Sequence, residues 1–209
     1  MIIKSKHNPL VYPFFKIYTI LKIRRNFTSV NISGEFEDKG LPVLLMCNHI
    51  SWWDGFWAMY LNMKVFRRKF HFMMLEDQLD KYWFFKLTGG YPVRRGSKSV
   101  IDSINYTNEL LSEKNNIVLL FPGGKIESLY NNSIEFEKGV VRIINQTGGM
   151  VHIIFVVNLI EYFSESRPGL YIYYKEYDRY DEDTEVIQRD YNEFYSDCVS
   201  ENIQKAPSR

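Results

Sequence analysis

The segment Asn48-His49-Ile50-Ser51-Trp52-Trp53-Asp54 holds the residue types best able to do chemistry in this chain of 209 residues. It follows the apolar run Leu41-Pro42-Val43-Leu44-Leu45-Met46-Cys47. That run reads as a buried strand, so the histidine and the aspartate stand where the strand ends and the chain turns. A neutral imidazole beside a carboxylate can take a proton from a hydroxyl, which is the work of a general base. The spacing dictates the local structure this needs. In a regular helix five steps rotate about 500°, leaving roughly 140° between the two side chains, which would then face apart. They meet only if His49 lies in a turn and Asp54 in the first turn of a helix. An aromatic helix from about Ser51 to Leu61 supplies that turn. Asp54 would hold one ring nitrogen and aim the other at a substrate. Ser51 and Asp54 also read as a capping box, with aspartate in place of the usual glutamate. The two readings are compatible, because a capped helix start also fixes the carboxylate.

Two further segments place polar groups at strand ends. Gly89-Gly90-Tyr91-Pro92-Val93-Arg94-Arg95-Gly96-Ser97 carries two guanidiniums after an extended stretch. Arg94 and Arg95 either bind a phosphate through paired hydrogen bonds or sit on the surface before a helix. Phe121-Pro122-Gly123-Gly124-Lys125-Ile126-Glu127-Ser128 is a strand-to-loop transition. Gly123 and Gly124 leave backbone N–H groups accessible and Lys125 adds a cation, which suits an anionic head group; the alternative is a tight turn. It is not a phosphate-binding P-loop, since the spacing and the Lys-Ser/Thr pair are absent.

The elements that must position these groups alternate along the chain. A strand and turn are expected over 27–34, strands at 41–47, 70–75, 91–93, 117–121, 151–157 and 170–174, and helices at 51–61, 77–87, 97–114, 136–146 and 182–203. Such alternation predicts a single α/β domain with a mixed, mostly parallel sheet flanked by helices. In that architecture sites form at the carboxyl ends of strands, where His49, Arg94 and Gly123 all fall. The acidic stretch from Asp178 to Glu185 is the one candidate hinge, or simply the link from the last strand to the last helix.

Composition narrows the function classes. Hydrophobic residues at 45% and charged residues at 24% are an ordinary globular balance, and the net charge of +1 offers no field for nucleic acid. Two cysteines do not make a disulfide framework and point to a reducing compartment or buried thiols. His7, His49, His71 and His152 are scattered without ligand spacing, so no metal site is expected. Aromatics reach 16%, which fits either a lipid interface or a packed core. No apolar stretch is long enough to span a membrane. Residues 1–26 are apolar with regularly placed cations and read as an amphipathic, membrane-associating helix, or as a helix packed on the domain formed by residues 27–209.

The three blocks, in this order and spacing, resemble the glycerolipid acyltransferase family, whose members acylate lysophosphatidic acid and related lysolipids. Asn48, His49 and Asp54 match its first block, Asn-His-x-x-x-x-Asp, in full. Gly89 and Arg95 match the second, a glycine followed six positions on by arginine. The third block reads Phe-Pro-Glu-Gly-Thr-Arg; Phe121, Pro122 and Gly124 match, while Gly123, Lys125 and Ile126 depart from it. Val151–Val157 fits the fourth, an apolar strand, without its proline.

The resemblance implies an O-acyltransferase with a glycerolipid acyltransferase-like fold. His49, oriented by Asp54, would deprotonate a lysolipid hydroxyl such as that of 1-acylglycerol-3-phosphate. The oxygen would attack the thioester of acyl-CoA or acyl carrier protein directly, with no bound cofactor and no metal. Arg94, Arg95, Gly123, Gly124 and Lys125 are the expected substrate-binding residues. The expected partners are the thioester, the lysolipid and a membrane surface. The expected place is the cytoplasmic face of a membrane, as a peripheral, monotopic enzyme. The departures in the third block fall on groups associated with the acceptor. An aminolipid, glycolipid or pigment acceptor therefore stands beside the glycerophosphate. A catalytically weakened lipid-binding protein of the same fold and a thioester hydrolase are the other readings.

Overall fold

The computed structural model describes residues 2–94, 99–131, 133–179 and 183–207. In chain order its elements are α1 (Val11–Asn26), β1 (Val30–Ser33), β2 (Val43–Cys47), α2 (Asp54–Lys64), β3 (Lys69–Leu75), α3 (Glu76–Lys81), a 3₁₀ helix (Trp83–Leu87), β4 (Gly90–Val93), α4 (Ser99–Leu110), β5 (Asn116–Leu120), α5 (Lys138–Gln146), β6 (His152–Glu161), β7 (Gly169–Tyr177) and α6 (Thr184–Gln204). The strands form one seven-stranded sheet in the order β1-β7-β6-β2-β5-β3-β4. β6 and β7 pair antiparallel and every other neighbouring pair is parallel. The mixed, mostly parallel sheet expected from the alternation is therefore present.

Apolar runs without alternation need cover on both faces of a sheet. β2 and β5 are buried at every position and lie side by side at its centre. From β2, Leu44 and Met46 pack with side chains of α4, α5 and α6 on one face, including Ile104, Ile143 and Tyr191. Val43, Leu45 and Cys47 pack on the other face with Trp57, Met59 and Leu61 of α2 and Ile23 of α1. Truncating a side chain such as Leu45 in either layer would cost about 2–5 kcal/mol.

Four elements differ from expectation, each for a local reason. The helix expected at 77–87 breaks at Tyr82 (φ −112°, ψ 56°) and resumes as the 3₁₀ helix. The break buries Phe85 against Phe56 and Leu79, so aromatic packing outweighs helix propensity. The helix expected at 97–114 ends at Leu110, because the Asn116 side-chain amide donates to the Leu110 carbonyl at 2.9 Å and closes the helix end. α2 begins at Asp54 rather than Ser51, whose hydroxyl accepts from the Trp53 N–H at 3.1 Å and holds a turn there. Of the strand and turn expected over 27–34, the strand is β1, and it starts only at Val30, since Thr28 bonds instead to the carbonyls of Arg167 and Pro168. Of the acidic stretch after β7, residues 180–182 lie outside the described residues.

α1 starts where the Asn8 side chain accepts from the N–H groups of Leu10 and Val11, at 3.0 and 3.1 Å. Residues before it are laced to the sheet edge: Lys6 donates to the Lys86 carbonyl and Gly89 to the Lys6 carbonyl, both at 3.0 Å. α1 rests on α2, yet Leu10, Phe14, Ile17 and Leu21 remain exposed at 81%, 59%, 60% and 59%. Their spacing places them on one helical face.

Candidate active site

The two central strands send their helices to opposite faces. α2 follows β2 onto the face of α1, whereas α5 follows β5 onto the face of α4 and α6. A crevice opens where neighbouring connections diverge in this way, at the carboxyl ends of the strands. His49 lies at the end of β2, and Phe121 at the end of β5.

The pair expected to meet does meet. His49 Nδ1 and Asp54 Oδ2 are 2.9 Å apart. The same carboxylate oxygen accepts from the N–H groups of Ile50 and Ser51, at 2.6 and 2.9 Å. Asp54 thus closes the turn before α2 and holds the imidazole at once, while the expected capping box does not form, because the Ser51 hydroxyl accepts from the Trp53 N–H before the helix. Asp54 is fully buried, and its Oδ1 has no partner among the described residues. Burial pushes its carboxyl above the ordinary value, while bonds from His49, Ser51 and Ile50 pull it part of the way back. An Nδ1 that donates to a carboxylate must carry the ring proton, which leaves the Nε2 lone pair as the proton-accepting position.

Neighbouring groups fix the imidazole further. Phe121 stacks on it, with ring centroids 3.9 Å apart and planes 10° from parallel. The Asn48 side chain ties the end of β2 to β6: its amide donates to the Asn158 carbonyl at 2.9 Å, and its oxygen accepts from the Asn158 N–H at 2.8 Å. The His49 carbonyl accepts from the Glu127 N–H at 2.7 Å, which pins the loop after β5 beside it. Cys47 is fully buried, and burial pushes its thiol well up, so it is a core group and not a rival nucleophile.

The loop from Phe121 folds as a turn, with the Gly124 N–H donating to the Phe121 carbonyl at 2.9 Å. Gly124 has φ +63°, a conformation that favours glycine. Lys125 Nζ lies 3.2 Å from Glu127 Oε1. Gly123, Lys125 and Glu127 line a small recess of about 10 Å³ together with His49, Asn131 and Ile134. Arg94 goes elsewhere: its Nε donates to Glu76 at 2.5 Å, and it lines neither the recess nor the larger cavity. Arg95 lies outside the described residues.

His49, Gly124 and Lys125 also border an apolar cavity of about 750 Å³. The sheet makes room for it. β3 pairs with β5 only as far as Phe72 and Leu119, after which Met73–Leu75 continue alongside Tyr91–Val93 of β4. The strands part there, and the cavity reaches both faces of the sheet. Phe56, Met59 and Phe72 wall it on one face and Ile104, Val140 and Ile143 on the other. A volume of this size with apolar walls has room for a sizeable ligand of low polarity.

The residues not assigned from sequence are Glu127, Phe121 as a stacking partner, Asn48 with Asn158, and the cavity walls. Asn158 had a signal: it is a lone amide in the apolar run from Val151 to Ile160. The walls had none, because they depend on where β3 leaves β5.

The site is thus a His–Asp pair at the end of a central strand of a parallel-rich α/β sheet, opening on an apolar cavity. The model of the family described as Acyltransferase matches residues 29–157, more than half of the chain. The chain belongs to that family and is an acyltransferase, as the three blocks had indicated. Among solved structures it is similar to the 1-acyl-sn-glycerophosphate (LPA) acyltransferase PlsC from Thermotoga maritima, with a TM-score of 0.57 and 15% identity over 95% of this chain and 81% of that one. At that identity the likeness speaks for the fold. No curated protein matches the chain.

Proposed function

We propose that this acyltransferase moves a fatty acyl group from an acyl thioester, acyl-CoA or acyl carrier protein, to a hydroxyl of a lysolipid. The observation that carries the reading is the 2.9 Å contact between His49 and Asp54 at the border of the 750 Å³ apolar cavity. His49 Nε2 takes the proton of the acceptor hydroxyl as its oxygen attacks the thioester carbonyl carbon. The new C–O bond forms, the C–S bond breaks, and the imidazolium returns its proton to the departing thiolate. Asp54 stabilises the imidazolium between those steps. The acyl chain occupies the apolar cavity. In this reading no nucleophile of the protein, no metal and no bound cofactor takes part.

The relative from Thermotoga maritima is described as acting on 1-acyl-sn-glycerophosphate, and that lysolipid is a first candidate acceptor. One observation favours a different head group. Lys125 is paired with Glu127 and Arg94 with Glu76, so the two described cations expected to hold a phosphate each face a carboxylate.

Substrates of this kind reside in membranes, and the reading includes a peripheral, monotopic attachment to a cytoplasmic membrane face. The exposed stripe Leu10, Phe14, Ile17 and Leu21 supports it. Lys16 and Lys22 flank the stripe, with Lys22 lying over the rings of Tyr18 and Trp53. No described helix is long and apolar enough to cross a membrane.

The test is thiol release from palmitoyl-CoA and from palmitoyl acyl carrier protein, with and without lysolipid acceptors. Release that requires an acceptor and yields the diacyl product supports the transferase. Release at the same rate without any acceptor would make the enzyme a thioester hydrolase. No release in any combination would favour the lipid-binding reading.

A further inference from the structure

The recess beside His49 contains a carboxylate, Glu127, that none of the three sequence blocks includes. Glu127 stands four positions after Gly123 in sequence, yet the two converge in space. A Cβ built on Gly123 would lie 3.8 Å from Glu127 Oε1. That is about the reach of a glutamate side chain from its own Cβ, with C–C bonds of ~1.5 Å. Where the third block of the family carries glutamate, this chain has a bare backbone with Ile134 Cγ2 3.0 Å from such a Cβ, and the Glu127 carboxylate, from further along the loop, lies within a glutamate's reach of it.

Three contacts hold Glu127 there. Its N–H donates to the His49 carbonyl at 2.7 Å, so its backbone moves with the histidine. Its Oε2 accepts from the Asn131 amide at 2.9 Å, and its Oε1 faces Lys125 Nζ at 3.2 Å. The bonds from Asn131 and Lys125 hold the carboxyl below its ordinary value, which keeps it ionised. A carboxylate has about four acceptor sites, so these two partners leave capacity for donors entering the recess. A bare phosphate monoester brings acceptors and negative charge to such a place. The recess is about 10 Å³, room for one water-sized group, so what fits it is a single hydroxyl or ammonium donor of a head group lying at its mouth.

We propose that Glu127 is the acceptor-positioning residue of this enzyme, replacing in space the side chain absent at Gly123 and receiving hydrogen bonds from a hydroxylated or amino head group. The inference rests on the lysolipid acyltransferase reading given above.

The test compares wild type, Glu127→Gln, Glu127→Ala and the relocated pair Gly123→Glu with Glu127→Ala. Acyl transfer is followed from a palmitoyl thioester to lysolipids bearing glycerol, ethanolamine or a bare phosphate. The expected result is an acceptor KM raised about tenfold in Glu127→Gln and Glu127→Ala for the glycerol and ethanolamine acceptors, the size of one charge-assisted hydrogen bond. The thioester KM changes by less than about twofold. The relocated pair recovers much of the loss, which a merely structural role of Glu127 would not allow. Glu127→Gln keeps the shape of the side chain and reads the charge alone. An active wild type with an unchanged acceptor KM in Glu127→Gln would overturn the inference, as would a loss shared equally between thioester and acceptor. A wild type inert toward every acceptor would overturn the lysolipid reading and this inference with it.

Discussion

His49 and Phe121 lie face to face at 3.9 Å, although they come from the ends of two different strands. β2 and β5 pair in register from Val43 and Ile117 to Met46 and Leu120, so the sheet itself brings the two rings together. Phe121 thereby limits rotation of the imidazole while Asp54 holds its Nδ1. Phe121→Leu is expected to keep the fold and lower kcat about tenfold, because a small misorientation of a general base is costly. Phe121→Tyr should retain most of the activity. Steady-state kinetics with a fixed acceptor checks both; an unchanged kcat in Phe121→Leu would show that the stack is only packing.

Asp54 has two duties that substitutions can separate. Asp54→Asn retains an oxygen for the N–H groups of Ile50 and Ser51 but loses the charge that stabilises the imidazolium. It should fold and lose about 10²-fold or more in kcat. Asp54→Ala also leaves those two N–H groups without their acceptor, at about 1–3 kcal/mol each if they stay dry. Its thermal midpoint should fall well below that of Asp54→Asn. Equal midpoints would contradict the turn-closing role.

His71 makes stability depend on pH. Its ring is buried, and Nδ1 lies 2.9 Å from the Ser5 hydroxyl. Burial, then the neighbouring His7 and Lys69, push its value from 6.5 down to about 3. The folded state therefore disfavours the proton. The stability this represents is fully present above pH 6.5 and is lost as pH falls from there toward 3. Between pH 7 and 5 the loss is about 2 kcal/mol, at 1.36 kcal/mol per pKa unit. Urea unfolding at the two pH values measures it. His71→Gln should flatten the dependence; an unchanged slope would assign it to other groups.

The stripe on α1 can be tested apart from the chemistry. Replacing Phe14, Ile17 and Leu21 with serine should leave the fold intact, since all three are exposed. Wild type should co-sediment with anionic liposomes and the triple variant should remain in the supernatant. Sedimentation of both alike, or of neither, would contradict attachment through this face.

Much of the fold was legible because its central strands are uninterrupted apolar runs, and Val43–Cys47 and Asn116–Leu120 could be little else than buried strands. The His49–Asp54 contact was legible for a geometric reason: only a turn followed by a helix start lets those two side chains meet. The recess was partly legible. Gly123 and Lys125 were marked by type, but the approach of Glu127 to Gly123 depends on a loop closed by Asn131 and by the His49 carbonyl, which no local pattern encodes. The cavity was not legible, because it exists only where β3 turns from β5 toward β4. Arg94 was marked by type, but its ion pair with Glu76 at the start of α3 was not legible, because the two lie 18 residues apart in the chain.

The most direct measurement is thiol release from a palmitoyl thioester in the presence of a working lysolipid acceptor, with wild type and His49→Ala side by side and lipid binding followed in both. The expected result is a loss of about 10²–10⁴-fold in turnover, with lipid binding retained. Acceptor-dependent release that survives in His49→Ala would contradict His49 as the general base and move the chemistry to another group.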